Sequence, residues 1–468
     1  MHRRKISKKR SFKAICPEAP FEFELFLVAF VCGIGLTDSA DAAEATSVWV
    51  GETELTEGEY LPVNSTEVTK EKPEEGYAYF SSGELYLYNY TYTGTDRVFY
   101  TDEEGNEHTS SIWTADDLVI NYEGDNYIAA TNDGYSCITA SYPQSDHKGM
   151  VTINAANESA YLKVEATERG HAIHAERGHV YINGPGKIDV YAYNGYAVNS
   201  KFDINIVNID GYFNASSDGN SGMDIISIVA QGDVWIEGTA TIESSDGRGI
   251  YAACTVYILA STEGTDRADI YFNTYSDCIF SAGSVYLSGK ADLYTENGYC
   301  VQCVGSIEII DEDENGVADT DIYCKSNDYG FVSLGAVLIK ADLEMETKMS
   351  AIYNGANVTI QPADKNGKDT VVTIRGGEET ICSQGIISIK NNVVTDEDGN
   401  KTIYKPQVRV ETTGLNAVYA DIDSIVLQGD FYTNGSVTAV NTITVGMEEA
   451  EWIPEEFTEN IIIQAVDN

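Results

Sequence analysis

The sequence predicts an all-β chain, a right-handed parallel β-helix with three short strands per coil. Three recurring patterns carry that expectation. A small residue followed by Ile or Val returns along the chain, as in Ala172-Ile173, Ala197-Val198, Gly249-Ile250, Cys300-Val301, Ala351-Ile352 and Ala417-Val418. An apolar-x-apolar triplet follows each, as in Val180-Tyr181-Ile182, Val234-Trp235-Ile236, Val256-Tyr257-Ile258 and Val285-Tyr286-Leu287. A third triplet reads Asp-x-Tyr at Asp189-Val190-Tyr191, Asp269-Ile270-Tyr271, Asp292-Leu293-Tyr294, Asp321-Ile322-Tyr323 and Asp430-Phe431-Tyr432. A Gly turn such as Asn194-Gly195 or Asn297-Gly298 then opens the next unit.

Each triplet alternates with period two and is rich in β-branched and aromatic residues, which is strand patterning. No single unit can bury its own apolar face, so units must stack into a solenoid. Parallel strands joined by crossovers wind right-handed. A propeller would need about four strands and roughly 40 residues per blade, and the three-triplet spacing fits neither that nor a sandwich. Interior positions then hold Ile, Val and Leu, with the small residues Ala175, Ser200, Ala252 and Cys303.

Units similar to the one at Ile173 begin near Ile112 and Ile138, which places the solenoid at 110–445. Residues 46–109, with Ser47-Val48-Trp49-Val50 and Leu85-Tyr86-Leu87-Tyr88, fall outside the spacing and are expected to form an N-terminal cap. Residues 446–468, with Trp452 and Ile461-Ile462-Ile463, would cap the other end, because a bare last coil exposes a pairing edge. Residues 1–42 read as a signal peptide. Arg3, Arg4, Lys5, Lys8, Lys9 and Arg10 precede an apolar run from Leu25 to Leu36, and Ala40-Asp41-Ala42 offers a cleavage site. That run is too short to span a bilayer. The expectation is a secreted or cell-surface monomer without membrane insertion.

The 468 residues carry 74 acidic and 29 basic side chains, a net charge of -45, yet 43% are hydrophobic. That is a folded body with a negative skin. Nucleic acid is a poor partner for it, since phosphate affinity comes from Lys and Arg releasing counterions. Anionic lipid is disfavoured for the same reason. Of nine cysteines, seven follow residue 42, an odd number that argues against a complete disulfide framework.

Ser47-Val48-Trp49-Val50-Gly51, Gly83-Glu84-Leu85-Tyr86-Leu87-Tyr88-Asn89 and Asp117-Leu118-Val119-Ile120-Asn121-Tyr122-Glu123-Gly124-Asp125-Asn126 occur in that order. In these the chain resembles secreted or surface β-helix proteins of Gram-positive anaerobes, labelled carbohydrate-binding and similar in fold to pectate lyases. The resemblance covers nearly all of the chain after the signal segment. It implies glycan-related binding outside the cell and supplies no catalytic residues.

Four features are candidates for function. The middle residue of the second triplet points outward, which gives Tyr181, Asn205, Trp235, Tyr257 and Tyr286 in successive units. Aromatics about 4.8 Å apart would form a platform for sugar rings. The competing reading is that exposed strands favour Tyr and Trp, whose rings cover each other. Asp269, Asp292, Asp321 and Asp342 share a position beside Tyr271, Tyr294 and Tyr323, an expected acid column. The insertion Asp311-Glu312-Asp313-Glu314-Asn315-Gly316-Val317-Ala318-Asp319 matches the start of a calcium loop, with Asp311, Asp313, Asn315, Val317 and Asp319 as ligands. Ile322 stands where the usual bidentate Glu would be, so affinity should be weak. His171, His174 and His179 cluster, but alternation puts His171 and His174 on opposite faces.

No nucleophile elbow, phosphate loop or zincin motif is present in the sequence. Together these features point to non-catalytic capture of a host or cell-surface polysaccharide. A glycoside hydrolase or lyase on the same scaffold, and an adhesin for a protein partner, are the alternatives. Among the many acids no hydrolytic pair can be singled out.

Overall fold

The computed structural model describes residues 44–130, 136–141, 149–219, 225–260, 269–310, 320–362, 370–377, 379–395 and 401–445, with the strands Glu456–Phe457 and Ile461–Ile463. They are strands joined by turns, and the strands stack coil upon coil into three parallel ladders. Together these make a parallel β-helix. In the first ladder Ile112 faces Ile138, which faces Ile173, then Val198, Ile228 and Ile250. In the second, Ile120, Ile153, Ile182, Ile206, Ile236 and Ile258 lie one above another. In the third, Val164, Val190, Ala215, Ile242, Phe272 and Leu293 do the same.

These stacks are the core, and nearly all of their side chains are fully buried. Each Ile or Val removed from water contributes about 1.5–3 kcal/mol, so every added coil carries its own share of stability. Burial alternates along most strands of the second and third ladders, as in Val234–Ser244, where every second residue is buried, whereas first-ladder strands such as Ile226–Ala230 are buried throughout. Small residues turn the corners. Ser200 Oγ donates to Gly178 O at 2.8 Å and accepts from Phe202 N at 3.0 Å, so the bend between the first and second ladders keeps its polar groups satisfied.

The ends of the stack are antiparallel. Glu59–Pro62, Tyr77–Ser81 and Glu84–Tyr88 form a meander. Its tight turn sits on Ser82 and Gly83, both at positive φ (54° and 77°), the geometry that matches strand twist in two-residue hairpins. Glu84–Tyr88 then pairs in parallel with Leu118–Glu123, so the ladder takes in a strand ahead of residue 110. At the other end Ile461–Ile463 runs antiparallel to Asp430–Thr433, and Glu456–Phe457 to Ser436–Ala439. Strands of reversed direction occupy the edges where another chain would otherwise add.

Neighbours on one strand should therefore differ sharply on truncation. Ile258→Ala leaves a cavity in the second-ladder stack and should cost about 2–5 kcal/mol. Tyr257→Ala removes a half-buried outer ring and should cost under about 1.5 kcal/mol. Melting curves of the two variants provide the comparison, and equal losses would mean the inside-outside assignment is wrong.

Candidate functional site

The outer face of the second ladder brings together most of the aromatics expected there. Tyr181 faces Asn205, which faces Trp235, then Tyr257 and Tyr286. Trp235 and Tyr257 have ring centroids 4.9 Å apart at 37°, and Tyr257 and Tyr286 lie 5.1 Å apart at 7°. Parallel rings this close must overlap face to face, because side by side in one plane their hydrogens would collide. Tyr257 and Tyr286 thus share a face, and Trp235 packs tilted against Tyr257, so the three make a packed column rather than an open platform. Glu308 continues the column beyond Tyr286.

On the third ladder the expected acid column does not form. Asp269 lies next to Lys290, accepting no Asp neighbour there, and Asp292 stands between Tyr271 and Tyr323. Only Asp321 and Asp342 of the four are directly opposed. The Asp-x-Tyr repeats are offset by two residues from coil to coil. A two-residue slide keeps every outward side chain outward, so the apolar pattern does not resist it. Tyr294 consequently sits diagonally between Tyr271 and Tyr323, at 5.5 and 5.4 Å with tilts near 50° and 51°. Burial raises the Asp269 carboxyl above its ordinary value against the pull of Lys290, and burial followed by Asp321 raises Asp292.

A more open arrangement stands where the N-terminal meander joins the second ladder. Two rows of tyrosines cross the meander. Tyr60, Tyr79 and Tyr86 form one row and Tyr77 and Tyr88 the other. Tyr60 stacks on Tyr79 at 4.2 Å, and Tyr77 on Tyr88 at 5.4 Å. The rows stop abruptly, because Tyr86 faces Asn121 and Tyr88 faces Glu123 on the next strand. A ring at the end of a stack keeps one face uncovered, and Tyr86 is 38% exposed.

Beyond the rings runs an amide ladder. Asn121 Nδ2 donates to Glu84 Oε2 at 2.7 Å, Asn154 Nδ2 to Asn121 Oδ1 at 3.1 Å, and Asn183 Nδ2 to Asn154 Oδ1 at 3.1 Å. Tyr86 also donates its hydroxyl to Glu84 at 2.6 Å, and that bond, then burial, raises the phenol above its ordinary value. The step from tall rings to short amides encloses a groove of about 360 Å3, lined by Tyr77, Tyr86, Tyr88, Asn121, Glu123 and Asn154 among others. The expected boundary at residue 110 divides this groove, with Tyr77, Tyr86 and Tyr88 in the cap and Asn121, Glu123 and Asn154 in the solenoid. The signal was there, as Tyr-x-Tyr twice around a Ser-Ser-Gly turn, which is a hairpin with rings on one face.

A second, more polar groove of about 470 Å3 crosses the ends of the third-ladder strands, with Tyr191, Asp218, Glu243, Tyr275 and Glu296 in its lining. Its Asp218 accepts from Ser245 Oγ at 2.5 Å and from Gly219 N at 2.7 Å. The calcium-loop residues Asp311, Asp313, Asn315, Val317 and Asp319 lie outside the described residues, as does the signal segment. Cys278 and Cys300 are buried thiols, and the Cys300 thiol is raised well above its ordinary value by burial and by Cys324 beside it.

His171 and His174 are not kept apart. Their rings lie 5.1 Å from each other, and His171 stacks on Tyr196 at 4.8 Å. His171 begins its strand at a corner, where alternation has not yet taken hold. His179 faces away from the pair, against Asp203 at 3.2 Å. Among the described residues no helix is long and apolar enough to cross a membrane. Compared with known proteins, the chain matches no family model, no curated protein and no solved structure.

Burial, with His174 and Lys201 adding repulsion, holds the His171 imidazole well below its ordinary value. The folded chain keeps it neutral where the unfolded chain takes up a proton, so stability is full above about pH 6.5 and falls below it. One such proton gives a slope of up to about 1.4 kcal/mol per pH unit. Melting temperatures between about pH 7.5 and 5.5 should drop less steeply for His171→Gln, which can still accept from Tyr196 N. Identical slopes would contradict this.

Proposed function

We propose that this chain is a secreted or cell-surface β-helix that captures glycans without turning them over, as a monomer. The carrying observation is the groove in which the exposed Tyr86 and the half-buried Tyr88 stand beside the Asn121 and Asn154 amides, the start of a ladder that continues to Asn183. Aromatic faces gain dispersion contact from the C–H face of a sugar ring. Amides supply both donors and acceptors to the hydroxyls at its edge. Because Glu84 fixes the first amide and each amide orients the next, the polar groups are ordered before a ligand arrives, which lowers the entropy cost of binding. Parallel strands repeat about every 4.8 Å, so the groove suits an extended chain lying along the helix axis rather than a compact solute. The negative skin disfavours uronate-rich or sulfated polymers.

A glycan array probed with the chain, beside a reducing-sugar assay, tests this reading. Tyr86→Ala with Tyr88→Ala should weaken glycan binding about tenfold or more, the equivalent of about 1.4 kcal/mol of lost ring contact. Trp235→Ala with Tyr257→Ala should leave binding in place, since these two rings lie outside the groove and away from its amide ladder. Loss of binding in the second pair and not the first would move the site to the aromatic stack, and release of reducing ends would make the chain an enzyme.

A further inference from the structure

Three described cations on the outer surface, Lys163, Arg409 and Arg248, share one arrangement. Lys163 Nζ lies 5.2 Å from the centre of the Tyr127 ring on the neighbouring coil and 3.0 Å from Glu165. The Arg409 guanidinium lies 4.8 Å from the centre of Tyr432 on the next coil, and its Nε donates to Glu411 at 2.6 Å. The Arg248 guanidinium lies 5.2 Å from the centre of Phe280, and its Nε reaches Asp277 at 3.0 Å. In each case one aromatic face and one carboxylate share a positive charge across adjacent coils. The ring quadrupole and the full negative charge both favour it there.

The groove repeats the ring and the carboxylate without a described cation between them. Tyr88 and Glu123 are directly opposed on adjacent strands, and both line the groove. Tyr77 packs behind Tyr88 at 5.4 Å. The nearby Lys72 is engaged on the Tyr77 ring at 5.4 Å, so the same tyrosine cluster already holds one ammonium of the chain itself. Glu123 is exposed, whereas Glu84 is committed to Tyr86 and Asn121. Among the described residues no Lys or Arg lines the groove.

We propose that the groove selects a glycan bearing free amino groups, a polymer of 2-amino-2-deoxyhexose, whose ammonium sits between the Tyr88 ring and the Glu123 carboxylate. This rests on the glycan reading above and narrows it. The sugar ring takes the uncovered face of Tyr86 and its hydroxyls take the Asn121 and Asn154 amides. An N-acetyl group in place of the ammonium would carry no charge to the ring and would leave Glu123 without a counter-ion. The net charge of -45 draws a polycation toward the surface from a distance, but the groove sets which one stays.

Calorimetric titration of the full chain at about pH 6 with three oligosaccharides of equal length tests the proposal, using glucosamine, N-acetylglucosamine and glucose oligomers. The glucosamine oligomer should bind at least about tenfold more tightly than the other two, and raising the pH to about 9 should remove the difference as the amines lose their protons. Glu123→Gln should abolish the preference. Glu103→Gln, on an exposed turn, should preserve it and so separates the groove from diffuse attraction by the acidic surface. Equal binding of all three oligomers, or a preference that survives Glu123→Gln, overturns the amine selectivity while leaving glycan capture standing. If none of the three binds, the amine selectivity falls, and the glycan array decides separately on glycan capture.

Discussion

Parallel strands in register leave each residue little freedom over its neighbours, since the residue above it is the one that occupies the same place in the next coil. The hydrogen bonds that join coils repeat about every 4.8 Å, and a side chain placed on one strand is at once in contact with its counterpart. Inside, this turns a recurring Ile into a continuous stack from Ile120 to Ile258. Outside, it makes a ladder of Asn121, Asn154 and Asn183, in which each amide satisfies the next. It also makes the ring stack of Trp235, Tyr257 and Tyr286. Both outer features follow from the same constraint that builds the core, so stability and surface chemistry are specified together.

The surface also has to manage its own charge. Several described cations are spent on neighbours, as where Arg375 joins Glu344 at 2.7 Å and Glu411 at 3.0 Å across three coils. Exposed pairs of this kind add little stability singly. Their effect is to break up runs of acid that the ladder would otherwise align. Lys290 does the same beside Asp269, and Tyr271 and Tyr323 do it for Asp292. The groove differs only in that its ring and its acid are opposed with space between them.

The triplets made the fold legible before any coordinates, because period two and the small-Ile pairs carry the inside of every coil. Ala175, Ser200, Ala252 and Cys303 are buried in the positions the repeat assigns them. The register of the outer columns was less legible. Matching Asp-x-Tyr to Asp-x-Tyr lines up the most similar residues, whereas the ladder pairs Tyr271 with Asp292. Alternation penalises a slide of one residue and is silent about a slide of two. Turn lengths at the corners decide the offset, and those are not periodic. The groove was hidden for a different reason. The hairpin at Ser82-Gly83 is readable by itself, but its parallel pairing with Leu118–Glu123, which sets Tyr86 and Tyr88 against Asn121 and Glu123, joins segments about 35 residues apart with no shared triplet to align them.

The central claim is that coil register sets Tyr86 and Tyr88 beside an ordered amide ladder, and that this step is where a sugar chain lies. A crystal structure of the chain with a bound glucosamine oligomer measures this most directly. The account predicts a sugar ring against Tyr86 and Tyr88, with hydroxyls about 2.7–3.2 Å from the Asn121 and Asn154 amides and an amine beside Glu123. An oligomer seated elsewhere on the helix, with the groove left to solvent, would contradict it.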